Sequence, residues 1–301
     1  MVDFPLNKSN VEQIPFCSFV VSWQNVNAYW ATESHQKQFE EVVKNIQDSL
    51  MHDQNLAFVA TLRAIIVTDD MPSLISQWAN DIEPEHHFDP SRTVRVVGKN
   101  YTWVAGDEYK AGNIFSVILL DQDIAYGCVN ENTLCKAMLA HELSHTHEGL
   151  LRRVGTEYRP IVASDDWPNI QRTFSKISWA EFFACKSSAI CFPEAPFEDD
   201  EILIYVIEEA IKSLDPEKKM VQITGQVDTL WVLALSRIQD VITQSGRFAG
   251  TTPSGKVESL YFRIKAINPD LERAIHSFCV ELTKIDHSQL KEDSFASLDV
   301  S

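Results

Sequence analysis

His141-Glu142-Leu143-Ser144-His145 is the stretch of this 301-residue chain whose residue types and spacing spell out a reaction. On a helix, two imidazoles four residues apart stand one above the other on a single face. One ring nitrogen of each can then reach the same tetrahedral zinc ion. Glu142, about 100° around the helix from His141, flanks the pair and can take a proton from a metal-activated water and pass it to a leaving group. Two ligands and a base therefore come from five residues. With nine histidines in the chain, composition alone produces an HExxH in about 2% of such sequences, so the elements around the motif must decide.

Those elements agree with a chemical role. The polar run Asn130-Glu131-Asn132-Thr133 is followed by a stretch that predicts a helix from Leu134 until Gly149, with Ala137, Met138, Leu139 and Ala140 just ahead of the motif. Upstream, Phe39, Val42, Val43, Ile46 and Leu50 recur at helical spacing, with Thr32 or Ser34 as a cap. Leu56 to Thr68 predicts a buried strand, and Pro72 starts a short helix holding Leu74, Ile75 and Trp78. Thr93 to Val97 and Ile114 to Leu120 predict neighbouring strands, separated by a stretch around Gly98, Gly106 and Gly112. From Asp199 onward the long segments read helical: Ile202 to Leu214, Val227 to Ile242, Val257 to Ile267 and Leu271 to Ile285, with breaks expected at Pro216, at Gly246 to Gly255 and at Pro269.

A catalytic zinc needs a third protein ligand, with the fourth position left for water. A glycine and a third histidine at the HExxHxxGxxH offsets are excluded, because those positions hold Glu148 and Leu151. The next helix, expected from about Ser178 to Ile190, carries Glu181 as its one acidic side chain, within Trp179-Ala180-Glu181-Phe182-Phe183-Ala184-Cys185. A carboxylate in so apolar a helix is costly unless it is paired or ligating, which makes Glu181 the expected third ligand; a salt bridge or a place at the solvent edge is the alternative. Glu148 lies near the ligand face and is a further candidate, as a supporting group or as the ligand itself. His147 is turned away from that face and is expected at the surface. Tyr126 and Tyr158 are candidates for stabilising an oxyanion, and Asp165 or Asp166 for orienting a histidine. His86-His87 reads as an exposed loop, and Cys128 and Cys135 as core thiols rather than ligands.

Residues from about 115 to 193 resemble the gluzincin group of HExxH metallopeptidases, in which a glutamate from a following helix completes the zinc site. Glu181-Phe182-Phe183-Ala184 followed by Phe192-Pro193 is also similar to the ExxA-to-Pro segment of the ImmA/IrrE-type peptidases, which are soluble and intracellular. The resemblance implies Zn2+ held by His141, His145 and Glu181, with Glu142 as the catalytic acid and base. One departure stands out: the gluzincin ExxxD form has an aspartate where this chain has Cys185.

The rest of the composition sets limits. A 45% hydrophobic and 23% charged chain of this length builds a core without metals or disulfides to staple it. Forty-three acidic against twenty-six basic residues give a net charge of −17, which repels a phosphate backbone and argues against a nucleic-acid partner. No run of about eighteen apolar residues predicts a membrane span. The absence of a basic n-region and of a CxxC pair among the six cysteines predicts a cytoplasmic chain with reduced thiols. The expected architecture is α+β: a zincin-like catalytic domain over residues 1–195, with a small twisted sheet and an active-site helix, then an all-helical subdomain over 196–301 packed on it. The expected activity is zinc-dependent hydrolysis of a protein or peptide substrate, aligned by β-addition along Ile114 to Leu120. The rival expectations are a catalytically silent zincin-fold regulatory protein and a zinc hydrolase acting on a non-peptide amide. The oligomeric state stays open.

Overall fold

The computed structural model describes residues 6–15, 18–54, 61–82, 96–105, 113–155, 167–196, 199–224, 227–251 and 254–284. Among these the chain is a mixed α+β protein, mostly helical, with one small four-stranded sheet. The elements follow in the order α1 (Lys8–Val11), β1 (Val20–Gln24), a 3-10 turn (Ala28–Ala31), α2 (Glu33–Gln54), β2 (Leu62–Thr68), α3 (Met71–Ile82), β3 (Gly98–Val104), β4 (Ile114–Asp121), α4 (Gln122–Val129) and α5 (Thr133–Gly155). Five more helices complete the described chain: α6 (Trp167–Cys191), α7 (Asp199–Thr224), α8 (Val227–Thr251), α9 (Ser254–Ile267) and α10 (Pro269–Lys284). Two compact units divide the chain, one of Met1–Glu157 and Ser187–Ala195, the other of Tyr158–Lys186 and Pro196–Ser301.

In the first unit the strand order is β1-β2-β4-β3, with β1, β2 and β4 parallel and β3 antiparallel to β4. β2 and β4 are buried at every residue. Their continuous apolar character is what a strand covered on both faces requires. On one face Ala64, Ile66, Tyr101, Trp103, Phe115, Val117 and Leu119 join Leu74, Ile75 and Trp78 of α3 in a single core. Strand alternation sends Gly98, Asn100 and Thr102 of β3 to the opposite face, and α5 lies against β3 and β4. That pairing of edge strand and helix positions the HExxH motif.

Several expectations need correcting. Ile114 to Leu120 is a strand, but as β4 it is interior, with β2 on one side and β3 on the other. It offers no free edge for β-addition; its unbroken apolar run is the mark of a central strand rather than an edge. The strand placed at Thr93 to Val97 begins at Gly98 instead, and runs through what was read as a glycine-containing loop; residues 93–95 lie outside the described set. β3 escapes a composition reading because its polar positions serve hydrogen bonds to α5 rather than solvent. β1 and α4 were not anticipated. α5 continues past Gly149 to Gly155, since Gly149 is where the helix meets β3: a Cβ there would lie 2.8 Å from Thr102 Oγ1.

In the second unit α7 packs extensively on α8. Leu203, Ile207, Phe248, Leu260, Ile264 and Ile275 form its core, and Arg263 grips Glu201 with two nitrogens at 2.6 and 2.9 Å, tying α9 to α7. α7 runs through Pro216 instead of breaking there, although proline costs a helix interior about 3 kcal/mol. α8 likewise runs through Gly246 and Gly250 instead of breaking there. Among the described residues no helix is long and apolar enough to cross a membrane.

Candidate metal centre

α5 starts on a local cap. Asn132 Oδ1 accepts from Cys135 N at 3.0 Å, satisfying one of the amides that a helix N-terminus leaves without a partner. Two to three turns on, helical periodicity stacks His141 and His145 as the spacing requires. Their rings stand edge to face, centroids 4.6 Å apart, and the two Nε2 atoms converge to 3.0 Å. Zinc–nitrogen bonds of about 2.0–2.1 Å in a tetrahedron set two donor atoms about 3.3 Å apart, so the two imidazoles need little adjustment to share an ion. All three motif side chains, His141, Glu142 and His145, are partly buried, while Leu143, Ser144 and Thr146 between and beyond them are fully buried. Burial on one side of α5 and access on the other keeps the donors fixed yet reachable.

β3 packs tightly against this turn of α5. A Cβ at Gly98 would sit 2.8 Å from both Cγ and Oε1 of Glu142 and 3.0 Å from its Cδ. Only a glycine lets the strand approach the carboxylate so closely. Two residues along, Asn100 Nδ2 donates to Thr146 Oγ1 at 2.8 Å and reaches the Glu142 carbonyl oxygen at 3.4 Å. Thr102 Oγ1 donates to Asn100 Oδ1 at 2.9 Å and lies 2.8 Å from Ser116 Oγ. A polar ladder thus runs from β4 through β3 onto the motif helix, in a setting where Ser116 and Thr146 are fully buried. Gly98, Asn100, Thr102 and Thr146 escaped the sequence reading. The one available signal was alternation of Gly98, Asn100 and Thr102 with Lys99, Tyr101 and Trp103.

Glu181 lies on α6 with its side chain 21% exposed and Oε2 3.9 Å from Arg247 Nε, so the salt-bridge alternative is present. Among the described residues, His141, His145 and Glu181 form the group of His, Cys, Asp or Glu side chains that could hold a metal, with one ligand atom of each within 4.8 Å of the others. Two imidazoles and a carboxylate are a donor set that suits zinc with an open fourth position. Cys185, where the gluzincin pattern has an aspartate, is 2% exposed.

The other candidates disperse. Glu148 is buried at 1% exposure on the helix side that carries the two histidines. His147 is 7% exposed, not the surface residue its position on the wheel suggested. Tyr126 belongs to α4 and sets its ring edge to face against Tyr29 at 4.9 Å. Cys128 is buried and Cys135 partly so, both as free thiols; burial raises the pKa of each, in keeping with inert sulfur. His86, His87, Tyr158, Asp165 and Asp166 lie outside the described residues. Comparison of the chain with protein-family models, with curated proteins and with solved structures found no match.

Proposed function

We propose that this chain is a zinc-dependent metallopeptidase of zincin-like build, with His141, His145 and Glu181 as ligands and Glu142 as general base and then acid. The observation that carries the reading is the convergence of the two Nε2 atoms to 3.0 Å beside a glutamate, with Glu181 in the same 4.8 Å group. When bound, the zinc supplies Lewis-acid polarisation of a carbonyl and easier deprotonation of water. Glu142 takes the proton of the attacking water on its carboxylate and returns it to the amide nitrogen as the carbon–nitrogen bond breaks. Asn100, through Thr146 and the Glu142 carbonyl oxygen, holds that turn of α5 in place. β3, the edge strand alongside α5, takes over from β4 as the strand on which an extended peptide aligns by β-addition. A cytoplasmic setting belongs to the same proposal, and the described cysteines, which form no disulfide with one another, suit a reducing compartment.

Elemental analysis of wild type, His145→Ala and Glu181→Ala tests the ligand set. Wild type should carry zinc and both variants should lose it. Equal zinc in all three refutes the site, and zinc retained by Glu181→Ala alone moves the third ligand to another carboxylate, Glu148 first.

A further inference from the structure

α8 meets α6 at two points with almost nothing between the backbones. A Cβ at Gly246 would lie 2.2 Å from the Ser178 carbonyl oxygen, and one at Gly250 would lie 2.6 Å from the Phe182 carbonyl oxygen and 2.7 Å from Cys185 Cβ. Ser178 Oγ donates to the Ile242 carbonyl oxygen at 2.8 Å, tying the same crossing one turn earlier on α8. These contacts bracket Glu181: Ser178 is three residues before it and Cys185 four after, one turn away in each direction on the same side of α6. Arg247, the residue after Gly246, reaches Glu181, Nε to Oε2 at 3.9 Å, with its own side chain 42% exposed. The glycines therefore do more than let two helices pack. They bring the one helix close enough for its arginine to stand beside the one carboxylate of the other.

We propose that α8 is a working part of the metal centre and that Arg247 is a positioning residue for Glu181, an inference that rests on Glu181 being a zinc ligand. The guanidinium stands beside the carboxylate and fixes its orientation as a ligand. A group that orients a ligand in this way typically changes metal affinity by about 10–100-fold when removed.

The test is zinc affinity of the full chain, measured by chelator competition, for wild type, Glu181→Gln, Arg247→Met and Arg247→Lys, with thermal midpoints of the metal-free chains taken alongside, since bound zinc would itself raise the midpoint. Arg247→Met should bind zinc about 10–100-fold more weakly at an unchanged midpoint, because a half-exposed ion pair adds little to stability. Arg247→Lys should recover part of the loss. Wild-type affinity in Arg247→Met while Glu181→Gln loses zinc overturns this inference and leaves the ligand assignment standing. A midpoint that falls in step with affinity also overturns it, by assigning Arg247 to folding. Undiminished zinc binding in Glu181→Gln instead overturns the parent reading.

Discussion

Gly98→Ala separates the base from the metal more cleanly than any change to the motif itself. The added methyl would sit 2.8 Å from Glu142 Cγ and Oε1, whereas carbon atoms in contact settle at about 3.5–4.0 Å. Glu142 must therefore withdraw by roughly 1 Å, and a displacement of that size in a reacting group costs about 10²-fold in rate, or about 2.7 kcal/mol. Neither histidine is touched, so zinc content should stay at the wild-type level. Gly98 pairs with Leu120 at the start of β3 and its backbone is not in the left-handed region, so alanine should not lower the thermal midpoint. The assay is kcat/KM on a quenched-fluorescent peptide library, with zinc per chain and midpoint measured on the same preparations. In a Glu142→Gln background the alanine should cost nothing more, because both changes act through one carboxylate. Wild-type turnover in Gly98→Ala, or the same fall repeated on top of Glu142→Gln, would refute the proposed route through Glu142.

Asn100→Ala removes the donor to Thr146 and the acceptor from Thr102; stranding a buried hydroxyl costs about 1–3 kcal/mol, to be read from urea unfolding, and a loss below that range would show the ladder to be dispensable. Burial pushes the Cys279 thiol up to about 12 from an ordinary 9.0. An unfolded chain ionises that thiol first and so holds fewer protons than the folded one between those values, which makes stability fall as pH rises through the interval. Unfolding midpoints between about pH 8 and about pH 11 should drop less steeply for Cys279→Ala than for wild type, and equal slopes would contradict the shift.

Elements with strong internal periodicity were legible in the residues: α2 from Phe39, Val43, Ile46 and Leu50, β4 from its unbroken apolar run, and the helical character of the described segments after Asp199. Proline marks a helix start at Pro72 and a break at Pro269 as expected, whereas Gly149, Pro216, Gly246 and Gly250 interrupt nothing. Gly246 and Gly250 stand inside a helix where another backbone passes within a few ångströms, and Gly149 where the Thr102 side chain does, a condition that lies outside the local sequence. Gly98 was read as part of a loop for the same reason in reverse, since its strand is half polar and the partners of those polar atoms are supplied by α5.

The motif could be read because its geometry is local. Four residues of helix are enough to bring His141 and His145 to one side, and the pairing follows from backbone pitch alone. What surrounds it is not local in that sense. Asn100 meets Thr146 across 46 positions of chain, and Arg247 reaches Glu181 from another helix. Contacts of that span exist only once sheet register and helix crossings are set. Those depend on how buried surfaces fit together, a property of the packed chain and of no single segment.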